Sequence, residues 1–353
     1  MPSQMNPRSQ FLTEVFEQPE VLRRLLEQGR EAAQDAAARI ELFAPEWVLI
    51  AARGSSDNAA RYAQYLFGAH NRLGVGLAVP SLFSLYRAPP RIGRAAVIGI
   101  SQSGQSPDIV AVLEQARHQG ALTLAVTNDV ESPLARTSSM TLPLHAGVER
   151  GIAATKTYTA ELVALAMLSA ALEGSTERFD VLGQVPSYVQ AVIASIEDQV
   201  QRVAAHLAGA GRLVVLGRGF NYSTAFEIAL KVKELCYFGT EAYSTADLMH
   251  GPVAMIDQDL PVMVVAPSGP TLATMPQLFT LLKQRGAITI ALSDRTEVLA
   301  RADYGLKLPS DLPEWVTPVV AVVIGQLFAH ALCLGSGQDP DNPRGLSKVT
   351  LTQ

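Results

Sequence analysis

Cysteine is scarce: the 353 residues hold two, Cys236 and Cys333, far apart and each inside an apolar run. Such a pair builds neither a disulfide framework nor a thiolate metal site, and a reducing cytoplasm is the expected compartment. Histidine is also thin, at six. With no HExxH pair and no carboxylate cluster at ligand spacing, neither a metal nor any other cofactor is expected. Lys and Arg are scattered rather than striped and the net charge is −5, which argues against a nucleic-acid partner. The first ten residues are polar and include two prolines, unlike the apolar stretch of a secretory signal. One long apolar run exists, Trp315 to Leu334, with no Asp, Glu, Lys or Arg. Its length would suit a membrane span. Pro318, Gln326, His330 and the strand-helix alternation around it favour a buried core helix and no membrane partner.

What is present is a long alternation. Phe11 to Leu42 reads as helix, interrupted at Pro19. Strands at Trp47–Ala51, Val75–Val79, Val97–Ile100, Leu122–Thr127 and Met140–Leu144 alternate with helices at Asn58–Leu73, Ile109–His118 and Ala153–Leu172. Such alternation predicts an α/β fold with a mostly parallel sheet covered by helices on both faces. A helical connector, Val185 to Leu207, leads to Arg212–Gly219, where the pattern restarts. Arg53-Gly54 and Arg218-Gly219 are 165 residues apart, as are Ser103-Gly104 and Ser268-Gly269. Gly120-Ala121 and Gly286-Ala287 follow at 166. Landmarks at nearly one offset mean two copies of one domain. The expected division is a lead-in over 1–44, a first copy over 45–180, a connector over 181–209, a second copy over 210–335 and a tail over 336–353.

The copies differ at one turn. In the first, the apolar run ending at Ile100 stops in Ser101-Gln102-Ser103-Gly104-Gln105-Ser106, and Pro107 opens a helix. Hydroxyls gathered where a helix leaves its first N–H groups unpaired form a site for a phosphate dianion. Without Gly-Lys-Ser/Thr or three spaced glycines, the phosphate belongs to a small molecule rather than a nucleotide. The alternative is a plain turn with Ser106 as helix cap. The second copy has Pro267 and Pro270 at this place, which remove two donors. Phosphate is therefore expected only in the first copy.

The second copy carries ionisable residues instead. Glu227, Lys231 and Glu234 share one face of a helix whose other positions are apolar, and a charged face on a buried helix suggests a site. His250 follows, before Gly251-Pro252. Taken together, Gly54-Ser55-Ser56, Ser101 to Ser106, Gly151 to Lys156, Leu230 to Glu234, Glu241-Ala242-Tyr243, His250-Gly251-Pro252 and Pro343 to Lys348 resemble the isomerase half of glucosamine-6-phosphate synthases. That half is a tandem of sugar isomerase (SIS) domains, and Glu17-Gln18-Pro19 looks like its lead-in helix.

The resemblance implies roles. Ser55, Ser101, Gln102, Ser103 and Ser106 would hold the 6-phosphate of a hexose, with backbone help near Ala153 and Thr155. Glu234 would shuttle a proton between C1 and C2, supported by Lys231 and Glu227, and His250 would assist ring opening. Lys348 would reach the site from the tail and form a Schiff base with an open-chain keto sugar. His250 in that family reaches the neighbouring subunit, which implies a homodimer. Departures bear on specificity: no cysteine precedes Cys236 to act as a glutaminase nucleophile, Asp247-Leu248-Met249 precedes the His, and Ser106 stands where Thr is usual. The expected activity is deamination of glucosamine 6-phosphate to fructose 6-phosphate and ammonia. A fructosamine 6-phosphate deglycase, an ammonia-dependent synthase-like isomerase and a non-catalytic sugar-phosphate sensor stay open.

Overall fold

The computed structural model describes residues 8–348. Two helices lead in, α1 (Gln10–Gln28) and α2 (Arg30–Phe43). Pro19 does not interrupt them: it lies within α1, and the break falls at Gly29. The reason is local. Proline cannot donate to the carbonyl four residues back, and the Gln18 side chain does so instead, its Nε2 lying 3.0 Å from the Val15 oxygen and 2.8 Å from Gln326 Oε1.

The first copy runs β1 (Trp47–Ala51), α3 (Ser55–Asn71), β2 (Val75–Leu77), α4 (Pro80–Ser84), β3 (Ala95–Ile100), α5 (Pro107–His118), β4 (Leu122–Thr127), α6 (Pro133–Thr137), β5 (Met140–Pro143) and α7 (Lys156–Glu173). Helices α8 (Thr176–Ser195) and α9 (Glu197–Leu207) connect it to the second. That copy runs β6 (Arg212–Gly217), α10 (Tyr222–Cys236), β7 (Gly239–Ser244), α11 (Thr245–Leu248), β8 (Pro261–Val265), α12 (Met275–Gln284), β9 (Ile288–Ser293), α13 (Thr296–Leu299), β10 (Tyr304–Lys307) and α14 (Thr317–Gly335).

Each copy forms a five-stranded sheet, ordered β2-β1-β3-β4-β5 and β7-β6-β8-β9-β10. Every pairing is parallel. Corresponding strands take corresponding places, so the sequence repeat is a structural one. Alternate strand residues divide the core. Val48, Ile50, Ala96 and Ile98 of the first sheet and Leu213 and Val215 of the second enter one common cluster. Leu49, Ala51 and Val97 face a core private to the first copy, and Val214 and Leu216 one private to the second. Helices α7 and α14 run through the common cluster, buried nearly all round. Of the segment that met the length of a membrane span, 89% of the most apolar window is buried inside the protein.

In both sheets the strand order reverses beside the first strand of the copy: at β1/β3 and at β6/β8. Such a reversal opens a crevice at the carboxyl ends of the strands, where ligands of doubly wound sheets bind.

Candidate active site

At the β1/β3 crevice lies a cavity of about 320 Å³. Its walls include Arg53, Ser55 and Ser56 at the start of α3, Ser101, Gln102, Ser103 and Ser106 from the turn after β3, and Ile152 and Ala154 before α7. Glu234 of α10 and Ser347 and Lys348 of the tail complete it. The structure thus brings together the hydroxyl turn, the proposed base and the tail lysine.

The turn's geometry leaves hydrogens to give. Ser101 Oγ accepts from the Gly104 N–H at 3.1 Å and Ser103 Oγ from the Gln105 N–H at 3.3 Å, so each hydroxyl proton is free to point elsewhere. Ser106 precedes α5 but its side chain makes no capping bond, which sets aside the plain-cap reading. Gly104 has φ +61°, and a Cβ there would lie 2.1 Å from Ser132 Oγ; glycine alone fits. The N-terminal turns of α3 and α5 both border the cavity, adding their partial positive charge.

Behind the cavity sits a buried chain of charges. The side chains of Glu227 and Lys231 are 0% and 1% exposed, whereas Glu234 is 22% exposed and faces the cavity. Lys231 Nζ lies 2.6 Å from Glu234 and 3.4 Å from Glu227, and donates to Ser55 Oγ at 3.2 Å. Burial works against the Lys231 charge, but Glu234 and then Glu227 outweigh it and raise its pKa above the usual lysine range. Glu227 accepts from Ser55 Oγ and Asn58 Nδ2, both at 2.8 Å. Burial raises its carboxyl, partly offset by Lys231 and Asn58. These bonds join α3 of the first copy to α10 of the second. The site belongs to neither copy alone.

Sequence reasoning missed several parts. Lys348 is held by Glu149, at 2.7 Å, and by the Gly151 carbonyl, at 2.6 Å. Burial would raise the Glu149 carboxyl, but the Lys348 charge and hydrogen bond, helped by Thr155 and Thr157, lower it. Glu149 also takes the Thr155 N–H at 3.0 Å and the Thr157 hydroxyl at 2.7 Å. The Thr155 amide expected to help the phosphate is therefore engaged, and Ile152 and Ala154 line the cavity in place of Ala153 and Thr155. Ser55 likewise gives its proton to Glu227. Ser56 Oγ lies 2.7 Å from Oε1 of the buried Glu161, and Arg53, half exposed on the cavity wall, pairs with the buried Asp108 at 2.8 Å. A lone acid in a loop or helix reads as solvated, so no spacing signalled Glu149, Glu161 or Asp108. His250 is exposed and is not among the residues lining this cavity. A larger hollow of about 670 Å³ on the far side of the turn shares Gln102 and Ser103 and reaches Glu149, but is lined by neither Glu234 nor Lys348.

The corresponding crevice of the second copy is filled by the chain itself. Glu314, before α14, accepts from Thr271 Oγ1 at 3.0 Å, and a Cβ on Gly269 would fall 2.3 Å from its Oε2. Burial raises the Glu314 carboxyl, the Thr271 bond pulling the other way. Ser268 is bonded through its N–H and hydroxyl to Asp294. Carboxylates occupy the place where the first copy offers hydroxyls.

A tandem doubly wound α/β protein with one hydroxyl-lined crevice and one self-filled crevice is the class these features define. The chain belongs to the SIS domain family, which it matches over residues 41–171 and again over 206–331. It is 35% identical over 350 residues to the isomerizing glutamine-fructose-6-phosphate aminotransferase of Thermococcus kodakarensis, covering 96% of this chain and 57% of that protein. The chain thus spans little more than half the length of that relative. A phosphosugar isomerase candidate from Silicibacter pomeroyi DSS-3 superposes with a TM-score of 0.86 at 34% identity, covering 95% of this chain and all of that one. The C-terminal domain of glucosamine-fructose-6-phosphate aminotransferase from Francisella tularensis gives 0.86 at 26% identity over 96% of this chain and 100% of that chain.

Proposed function

We propose that this chain is an aldose/ketose isomerase of hexose 6-phosphates that deaminates glucosamine 6-phosphate to fructose 6-phosphate and ammonia. The observation that carries the reading is the meeting, in one cavity, of hydroxyls free to donate to a phosphate and a carboxylate, Glu234, paired with a buried lysine.

In this reading Ser101, Ser103 and Ser106 hold the phosphate, and its binding energy positions C1 and C2. Glu234 takes the proton from C2 of the open-chain aldehyde, giving an enolamine, and returns it to C1. The product is the C2 imine of fructose 6-phosphate. Water adds to it and ammonia leaves, so glucosamine 6-phosphate plus water balances fructose 6-phosphate plus ammonia. Lys231 steadies the Glu234 charge, Glu227 holds Lys231, and Lys348 borders the reacting end of the sugar. We assign ring opening to His250 of a second copy in a homodimer, since His250 does not line the cavity of its own chain.

The test is incubation with glucosamine 6-phosphate, assaying fructose 6-phosphate and ammonia in equal amounts. Aldose-ketose interconversion without ammonia would keep the isomerase and remove the deaminase. No turnover across neutral pH would remove both.

A further inference from the structure

Ser56 lines the cavity, and its hydroxyl meets Glu161 Oε1 at 2.7 Å. Glu161, on α7, is 1% exposed, and its Oε2 has no hydrogen-bond partner among the described residues. An ionised carboxylate with one oxygen orphaned in the core is costly, whereas a protonated one leaves no charge there and, with its hydrogen on Oε1, has an O–H to give to Ser56. The charged groups acting on it are Glu149 before α7 and Glu227 and Lys231 on α10. Tyr158, one turn earlier on α7, is buried and stays neutral, its pKa raised by burial and then by Glu227 and Glu161. Burial pushes the Glu161 carboxyl up to about 8, the Ser56 bond opposes this, the Glu149 and Glu227 charges add to it, and Lys231 opposes it again.

We infer that Glu161 is a positioning residue for the phosphate: held neutral, it donates to Ser56 Oγ and so releases the Ser56 hydroxyl hydrogen to the ligand. This rests on the phosphate reading above and adds to it a donor and a gate. When Glu161 ionises, its oxygen accepts the Ser56 hydrogen and a further negative charge appears behind the cradle. Ser55 shows the contrary state, with its hydrogen committed to Glu227 while it accepts from Lys231. Two adjacent serines at one helix start are thus set in opposite senses by the acids behind them.

The sign follows. Only the form with neutral Glu161 binds well, so the apparent Kd equals the intrinsic value divided by the neutral fraction. With the carboxyl at about 8, Kd is flat below that pH and rises about tenfold by one unit above it. Glucitol 6-phosphate is a suitable probe, because it has no carbonyl to react and its phosphate, with a second pKa of about 6, stays dianionic across the range. Titration calorimetry from pH 7 to 9.5 should show this rise for the native protein. Glu161→Gln, which offers a permanent N–H to Ser56, should flatten it. Ser56→Ala leaves Glu161 in place and should bind more weakly with a reduced slope, and it serves as the second test if the glutamine variant fails to fold. An unchanged slope in either folded variant, or no slope in the native protein, overturns the inference while leaving the phosphate site. Absence of binding at every pH overturns the phosphate reading and the inference with it.

Discussion

A serine hydroxyl has one hydrogen to give, and at this site the neighbours decide where it goes. Ser101 and Ser103 accept from the loop's own amides and keep their hydrogens, while Ser55 spends its hydrogen on Glu227. Residue type therefore picked out hydroxyls that line the cavity but not where each sends its hydrogen. The turn from Ser101 to Ser106 was legible because a polar, glycine-bearing break between an apolar run and a proline-started helix has few structural uses. Glu149 and Glu161 were not legible: what makes them important is burial beside Lys348 and Ser56, a product of packing between segments distant in sequence. The roles separate in kinetics. Ser103→Ala removes one charge-assisted hydrogen bond, worth about 1.5–3 kcal/mol, and should chiefly raise KM. Glu234→Gln keeps the shape and removes the base, so kcat should fall by ~10²-fold or more. Steady-state assays on the two variants decide it. A near-normal kcat in Glu234→Gln would place the proton shuttle on another residue.

At the scale of elements, the repeat was readable because strand, turn and helix must recur in register to rebuild the same sheet. The paired Arg-Gly and Ser-Gly landmarks mark the same two loops in each copy. What the repeat did not reveal is how the second crevice is closed. Pro267 and Pro270 explain lost donors, yet it is Glu314, carried by the chain segment before α14, that occupies the space. Similarly, the proline in α1 suggested a break that the Gln18 side chain makes unnecessary. Gly269 is the point where the plug can be tested. Its φ is +149° and an added Cβ would fall 2.3 Å from Glu314 Oε2, so Gly269→Ala meets both backbone strain and a clash. A loss of about 1–3 kcal/mol is expected from the strain alone, read as a lower urea midpoint with an unchanged m-value. A neutral outcome would show that Glu314 and the loop shift freely and that the second crevice is not firmly closed.

At the scale of the molecule, one common core fixes the two copies together, and α3 and α10 meet across it to join Ser55 and Asn58 to Glu227. A site built this way draws Glu234 and the hydroxyl turn from one chain. His250 stands apart, exposed and absent from that cavity's lining, and the homodimer proposed above gives it a place in the partner's site. Mixing variants distinguishes the arrangements. His250→Asn and Glu234→Gln should each be nearly inactive as pure dimers, because every site lacks one of the two groups. In a hybrid dimer with exchanged contributions, one site would combine the Glu234 of one subunit with the His250 of the other, and the second site would have neither. Random reassociation at equal amounts makes half the dimers hybrid, each with one of its two sites restored, so about a quarter of native activity should return. If His250 instead serves its own chain, every site in the hybrid still lacks a group and nothing returns. Recovery measured after unfolding and refolding the mixture, against each variant refolded alone, therefore reports directly on which subunit supplies the histidine.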